Sequence, residues 1–250
     1  MFPKSEIKNP KSGCGIPKSE IKNPKCGGEV DLNQKIEILK RVYDVYSGFI
    51  RKIPTHCKKF CDDCCTGNIT GTTLEAYFLL DNLEEEQKKE ILDKSANPSD
   101  RRFQPKLTFN RLADLCARGK DAEEAAESDS GKCPILSDSR CPVYLYRPFG
   151  CRCMVSSKPC SETGYAEIDP LVLSVNDAFM QLIEHLDAGG LSGNFSDVLN
   201  FLAVEENRKA YEKNRMPLHH DNLITNIPIR VWMIPPEHRE KIESLLKRIC

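Results

Sequence analysis

Residues 56–67, HCKKFCDDCCTG, hold four cysteines within nine positions, spaced Cys57-x3-Cys61-x2-Cys64-Cys65. No helical or strand periodicity of apolar residues accounts for such a cluster, so the local fold is expected to form around whatever the thiols bind. In a chain without a secretory signal, thiols packed this tightly read as metal ligands before they read as disulfide partners. A second group, Cys133, Cys141, Cys151, Cys153 and Cys160, follows further along. The two groups are expected to meet in space as halves of one composite site. Cys14, Cys26, Cys116 and Cys250 stand apart, and Cys116, between Leu115 and Ala117, reads as a buried structural thiol.

The bulk properties leave room for this reading and exclude others. At 250 residues and 40% hydrophobic content the chain can bury an ordinary core. Lys+Arg 36 against Asp+Glu 37 gives a net charge of -1, so no global positive charge suits a nucleic-acid backbone. The apolar runs fall far short of the ~20 residues a membrane helix needs, and the N-terminus lacks a signal-peptide h-region. A cytoplasmic location is therefore expected. Thirteen cysteines in a reduced protein invite oxidation unless something occupies them, and metal binding supplies the reason.

The chain opens on a near-identical tandem repeat, PKSEIKNPKSGCG from Pro3 and PKSEIKNPKCGG from Pro17. With only Ile7 and Ile21 to bury, two such units cannot form a core. Residues 1–29 are expected to be a disordered, basic tail or, alternatively, untranslated upstream DNA. In the second case Gly27-Gly28-Glu29 would mark a ribosome-binding sequence and Val30 the start. Residues 30–190 are expected to form a cysteine-cluster metal-binding domain, with 191–250 a helical extension packed on it.

From Asp31, Ile36, Leu39, Val42, Tyr43, Tyr46, Phe49 and Ile50 recur at helical steps up to a stop at Pro54. After the cluster and a Gly-Asn-Ile-Thr-Gly loop, Thr72 and Glu75 form a capping-box signature opening a helix through Leu80. Asp81 and Glu84 repeat the device before EEEQKKEILDK. Residues 95–105 read as a loop, and 107–127 as a helix with a strongly polar end. Asp169-Pro170 is an N-cap with proline at the first helical position. It opens a helix striped with Leu171, Val175, Phe179, Leu182 and Leu186, closed by Gly189-Gly190. Ser196 starts a helix carrying Val198, Leu199, Leu202 and Tyr211. IPIRVWMIPP, from Ile227, is the best strand or extended candidate, and Pro235-Pro236 begins the last helix. The fold class is mainly α, with an irregular cysteine-rich metal-binding core and little or no β-sheet.

A Zn²⁺ ion takes four N or S ligands and an iron-sulfur cluster typically four thiolates. Cys57, Cys61 and Cys64 suit such a site, but Cys64 and Cys65 are adjacent and their side chains diverge. They either serve two metals, or one joins a polynuclear centre while the other packs. Four thiolates on Zn²⁺ leave a net negative charge that needs cations nearby, and Lys58, Lys59, Arg147 and Arg152 are placed for it in sequence.

With Cys133-Pro134, Cys141-x2-Tyr144 and Arg147-Pro148-x2-Cys151-Arg152 added to the first cluster, residues 50–160 resemble the bacterial YkgJ-like cysteine-cluster family, described as zinc- or iron-chelating. The resemblance implies metal binding by Cys57, Cys61, Cys64, Cys65, Cys133, Cys141 and Cys151, with Zn²⁺ or iron, including a [4Fe-4S] cluster, as the cofactor. It implies no particular reaction. Flagellin lysine methylases look like relatives with an iron-sulfur centre, so an iron-sulfur-dependent protein-modifying or electron-transfer enzyme is the alternative. Cys153 and Cys160 lie outside the matched pattern.

Other classes fit less well. Cys57-x3-Cys61-x2-Cys64 has radical SAM spacing, but a helix precedes it, Asp63 stands where an aromatic belongs, and no barrel of alternating strands and helices follows. CDDCC is acidic where a nucleic-acid zinc module is basic, and the Cys61-x2-Cys64 pair lacks a thioredoxin-like context. His56 reads as a solvent-facing loop residue and His219-His220-Asp221 as a polar turn.

Overall fold

Asp31 begins the first helix, α1 (Leu32–Ile50), by accepting from the Gln34 N–H, while the Gln34 side chain accepts from Asp31 N–H. This reciprocal cap satisfies two of the otherwise orphaned amides of the first turn. The computed structural model describes residues 30–58, 60–120, 130–216 and 220–250. The tandem repeat of residues 1–29, Lys59, the polar stretch 121–129 and His219 lie outside the described residues.

After the cysteine loop comes β1 (Thr70–Thr72), which runs directly into α2 (Thr73–Asp81). Thr72 and Glu75 form the expected capping box. The next box is Glu84 with Gln87 at the start of α3 (Glu85–Ser95), not Asp81 with Glu84, because Asp81 still belongs to α2. α4 is short, Phe109–Ala117, and Gly119 follows it at φ 65°. α5 (Phe149–Arg152) and α6 (Cys160–Thr163) are single turns in the second cysteine block. α7 (Pro170–Leu186) has Asp169 as its N-cap, bonded to Leu171 N–H, and Gly189 turns away at φ 86°, a backbone conformation natural to glycine.

β2 (Leu191–Asn194) passes into α8 (Phe195–Ala203); Val204 is extended, and α9 (Glu205–Glu212) restarts beyond it. What reads as one helix is thus two. β3 (Leu223–Thr225) completes an antiparallel three-stranded sheet with β2 in the middle. A 3-10 turn at Pro236–His238 leads into α10 (Arg239–Leu246). The architecture of the described residues is mainly α-helical with this one small sheet. No helix among them is long and apolar enough to cross a membrane.

One apolar core runs from α1 to the C-terminal residues, with Leu39, Val42, Leu74, Phe179, Leu182, Val198, Leu199 and Ile242 fully buried. Residues 191–250 supply two of the three strands and much of that core. The IPIRVWMIPP segment buries Ile229, Trp232 and Ile234 but forms no strand. Its backbone is held by side chains: Asn110 donates to the Ile227 carbonyl, and Gln181 donates to the Val231 carbonyl and accepts from Met233 N–H. Two buried amides thus satisfy polar groups that a neighbouring strand would otherwise satisfy.

Candidate functional site

The second cysteine block is fastened to this scaffold by one buried carboxylate. Glu75 in α2 accepts from Thr72 N–H (3.0 Å), Thr72 Oγ1 (3.2 Å), Tyr43 OH of α1 (2.9 Å) and Phe149 N–H at the start of α5 (2.6 Å). Burial holds its pKa up, against these donors. A capping residue in sequence is therefore also the anchor of the turn that carries Cys151. Gly150 lets that turn lie against β1, since a Cβ there would fall 2.6 Å from the Thr70 carbonyl oxygen.

The two cysteine blocks meet through their backbones. Cys133 N–H donates to the Cys65 carbonyl (3.0 Å), Gly67 N–H to the Gly131 carbonyl (3.1 Å), and Thr66 pairs with Lys132 in an antiparallel bridge. Lys132 also reaches the Asp62 carboxylate at 3.2 Å. At the other end of the first block, His56 N–H donates to the Ser156 carbonyl (2.8 Å), and Ser156 N–H donates to Cys57 Sγ (3.3 Å).

Four of the seven expected ligands form a mutual set. Burial pushes the Cys133, Cys141 and Cys151 thiols up, and thiolates at neighbouring positions add to it: Cys65 on Cys133, Cys133 and Cys65 on Cys141, and Cys133, Cys141 and Cys65 on Cys151. Every pair within Cys65, Cys133, Cys141 and Cys151 is thus within electrostatic reach. Cys64 shares a hydrogen bond with Cys65 that lowers the Cys65 pKa and raises that of Cys64. Cys57 and Cys61 are exposed and stand outside the set, whereas its four members are half-buried. In the arrangement observed, no three His, Cys, Asp or Glu side chains among the described residues converge tightly enough to hold an ion. The thiols are gathered at electrostatic range, not at ligating range.

Among the expected cations that the structure describes, Arg147 is the one whose environment bears on the thiols. Its guanidinium lies 3.6 Å over the Tyr144 ring, and its Nε and Nη1 are buried without a hydrogen-bond partner. Its charge acts to lower the Cys65, Cys141 and Cys151 thiols. Buried N–H groups of a cation left unmatched are costly unless negative charge arrives to face them. Arg152 acts on the loop instead. Its guanidinium donates to the carbonyls of Leu145 and Arg147 and lies 3.9 Å over the Tyr43 ring, which fixes the segment bearing Arg147. Lys58 is exposed.

The remaining cysteines separate by burial. Cys153 is buried, donates to the Gly150 carbonyl (3.3 Å), and has its pKa pushed up to about 12, chiefly by burial. That describes an inert core thiol. Cys116 is only half-buried, less enclosed than its apolar neighbours suggest, and Cys250 is disulfide-bonded. Cys160 opens α6 beside Ser156, near Cys57 and Cys61. His220, read as part of a polar turn, bridges to Leu223 and sets its ring against Phe201.

No family model matches the chain, and no curated protein or solved structure matches it.

Proposed function

We propose that this chain is a metal-binding protein whose clustered cysteines chelate Zn²⁺ or iron, as its resemblance to the YkgJ-like cysteine-cluster proteins implies. The observation that carries the reading is the mutual nearness of Cys65, Cys133, Cys141 and Cys151, faced by the unpartnered N–H groups of Arg147. Four thiolates match the donor set of a structural Zn²⁺ site or of an iron-sulfur cluster. The net negative charge of such a centre answers the orphaned guanidinium. A bound metal would cross-link the two cysteine blocks, which are joined in this structure by loop hydrogen bonds and the Lys132–Asp62 ion pair.

Each residue has a role in this reading. Cys65 and Cys133 lie on paired backbone, Cys141 follows the turn at residues 137–140, and Cys151 is set by Glu75 and Gly150. Arg152 and Tyr43 hold Arg147 in place. Closure of the thiols from electrostatic to ligating range is the movement that metal uptake requires.

The test is metal and acid-labile sulfide analysis of the full chain purified without oxygen. Stoichiometric metal is expected, with most of it lost in Cys133→Ser and retained in Cys116→Ser. Zinc in a colourless sample identifies a zinc centre, and brown absorbance with sulfide an iron-sulfur one. Metal-free wild type, or full retention in Cys133→Ser, refutes the reading.

A further inference from the structure

We propose that Arg111, Arg118 and Arg230 form a binding site for a phosphomonoester dianion, set by α4 and the IPIRVWMIPP segment and independent of the thiols.

The three guanidinium groups converge on one carboxylate. Asp114, a buried residue of α4, has Arg118 Nη2 at 3.0 Å, Arg230 Nη1 at 3.7 Å and Arg111 Nη1 at 3.8 Å from its Oδ2. Among the described residues no other carboxylate pairs with any of the three. Three guanidinium charges against one carboxylate leave two positive charges unbalanced, all within reach of a single oxyanion.

Another arginine in the same protein shows what a purely structural pairing looks like. Arg102 gives Asp197 two bonds of 2.8 Å, and the two side chains are 12% and 13% exposed. At Asp114 both the count and the direction differ. Only Arg118 donates, to Oδ1 at 3.0 Å, and Oδ2 is buried without a hydrogen-bond partner although three guanidinium nitrogens lie within 3.8 Å of it. Each of the three arginine side chains is at least half exposed. The aspartate therefore gathers the arginines without using up their donors, and most of their N–H groups stay available to a ligand. Exposed ion pairs of this kind add little to stability, so stability does not account for three of them on one carboxylate.

The C-terminal end of α4 favours a cation at its C-cap, Arg118. It has no such claim on Arg230, which comes from a distant part of the chain and is fixed on both sides. Asn110 holds the Ile227 carbonyl and Gln181 the Val231 carbonyl, with Ile229 and Trp232 buried. Arg111 follows Asn110 on α4, so the residue that anchors the Arg230 segment also adjoins the second arginine. Backbone positions fixed in this way lower the entropic cost of binding.

The charge and shape of the cluster select the ligand. Guanidinium forks match phosphate oxygens two at a time. A phosphomonoester carries about two negative charges at neutral pH, which balances the excess on the arginines. A sulfate monoester of the same shape carries only one.

The experiment is calorimetric titration of the full chain at low salt with phenyl phosphate, and with phenyl sulfate as its monoanionic match. Phenyl phosphate is expected to bind at one equivalent, about ten-fold more tightly than phenyl sulfate, and to weaken as salt rises. Arg230→Gln and Arg111→Gln should each weaken it about ten-fold with metal content unchanged, whereas Lys40→Gln, the same charge lost on α1, should not. A phosphoserine peptide distinguishes the sources of the group: tighter binding than phenyl phosphate identifies a phosphorylated protein, and binding no tighter a free phosphoester. Binding retained in both arginine variants places the anion elsewhere, a bound metal included, and overturns the proposal. So do equal binding of the sulfate, equal weakening in Lys40→Gln, and no binding by the wild type.

Discussion

Along α7 and α8, Val175, Phe179, Leu182, Val198 and Leu199 are fully buried, whereas Cys57 and Cys61, on the loop after α1, stand exposed and their partners lie in turns. The helices are ordered by apolar burial that needs no ligand. The cysteine blocks have short backbone pairings, two single-turn helices and thiols whose charges would repel. The contrast teaches that apolar burial orders the helices, whereas loop contacts hold the cysteine blocks. Glu75 is where the two kinds of order join, because it caps α2 and holds α5 at once.

The largest effect that would sharpen this contrast lies in the scaffold. Leu199→Ala, at a fully buried position of α8, should cost roughly 2–5 kcal/mol in urea denaturation, with metal content per folded chain unchanged. A matching loss of metal would mean that the two regions are not separable.

A smaller effect comes from Glu184 in α7, which accepts from Phe109 and Asn110 N–H yet is pushed by burial up to about 7 from an ordinary 4.5. In that interval the folded chain holds a proton that the unfolded chain has released. This carboxyl's contribution is therefore fully present below its unfolded pKa and is lost as pH rises towards 7, with a slope of at most about 1.4 kcal/mol per pH unit. Asp187, buried and raised to about 6, acts in the same direction. Glu184→Gln should flatten stability between those pH values; an unchanged slope would contradict the burial argument.

The smallest effect separates the core thiol from the proposed ligand thiols. Cys153→Ala should cost about 1–2 kcal/mol through lost packing and leave metal content intact, whereas Cys151→Ser, two residues earlier, should lose metal. Loss of metal in Cys153→Ala would place that thiol among the ligands.

Much of the scaffold is legible in the sequence because its signals are local. Thr72 with Glu75 and Asp169 before Pro170 act over two or three residues, and the helices begin where they say. Misplaced elements are those decided by distant partners. β1 and β2 are short Thr, Gly and Ser-rich segments that become strands through pairing with each other and, for β2, with β3. The apolar IPIRVWMIPP segment stays out of the sheet because Asn110 and Gln181 take its backbone groups.

The sequence by itself determined the clustering of the thiols and the helical scaffold, since thiol spacing, caps and apolar stripes depend on residue type and spacing alone. It also carried the conflict between adjacent Cys64 and Cys65, since divergence of neighbouring side chains is a property of any backbone. Only the tertiary structure decided which thiols stand together, that Ser156 N–H reaches Cys57 Sγ, and that Arg147 lies beside the quartet with unmatched N–H groups. Those relations join residues far apart in the chain, and they exist only once the loops close on the core that Glu75 pins.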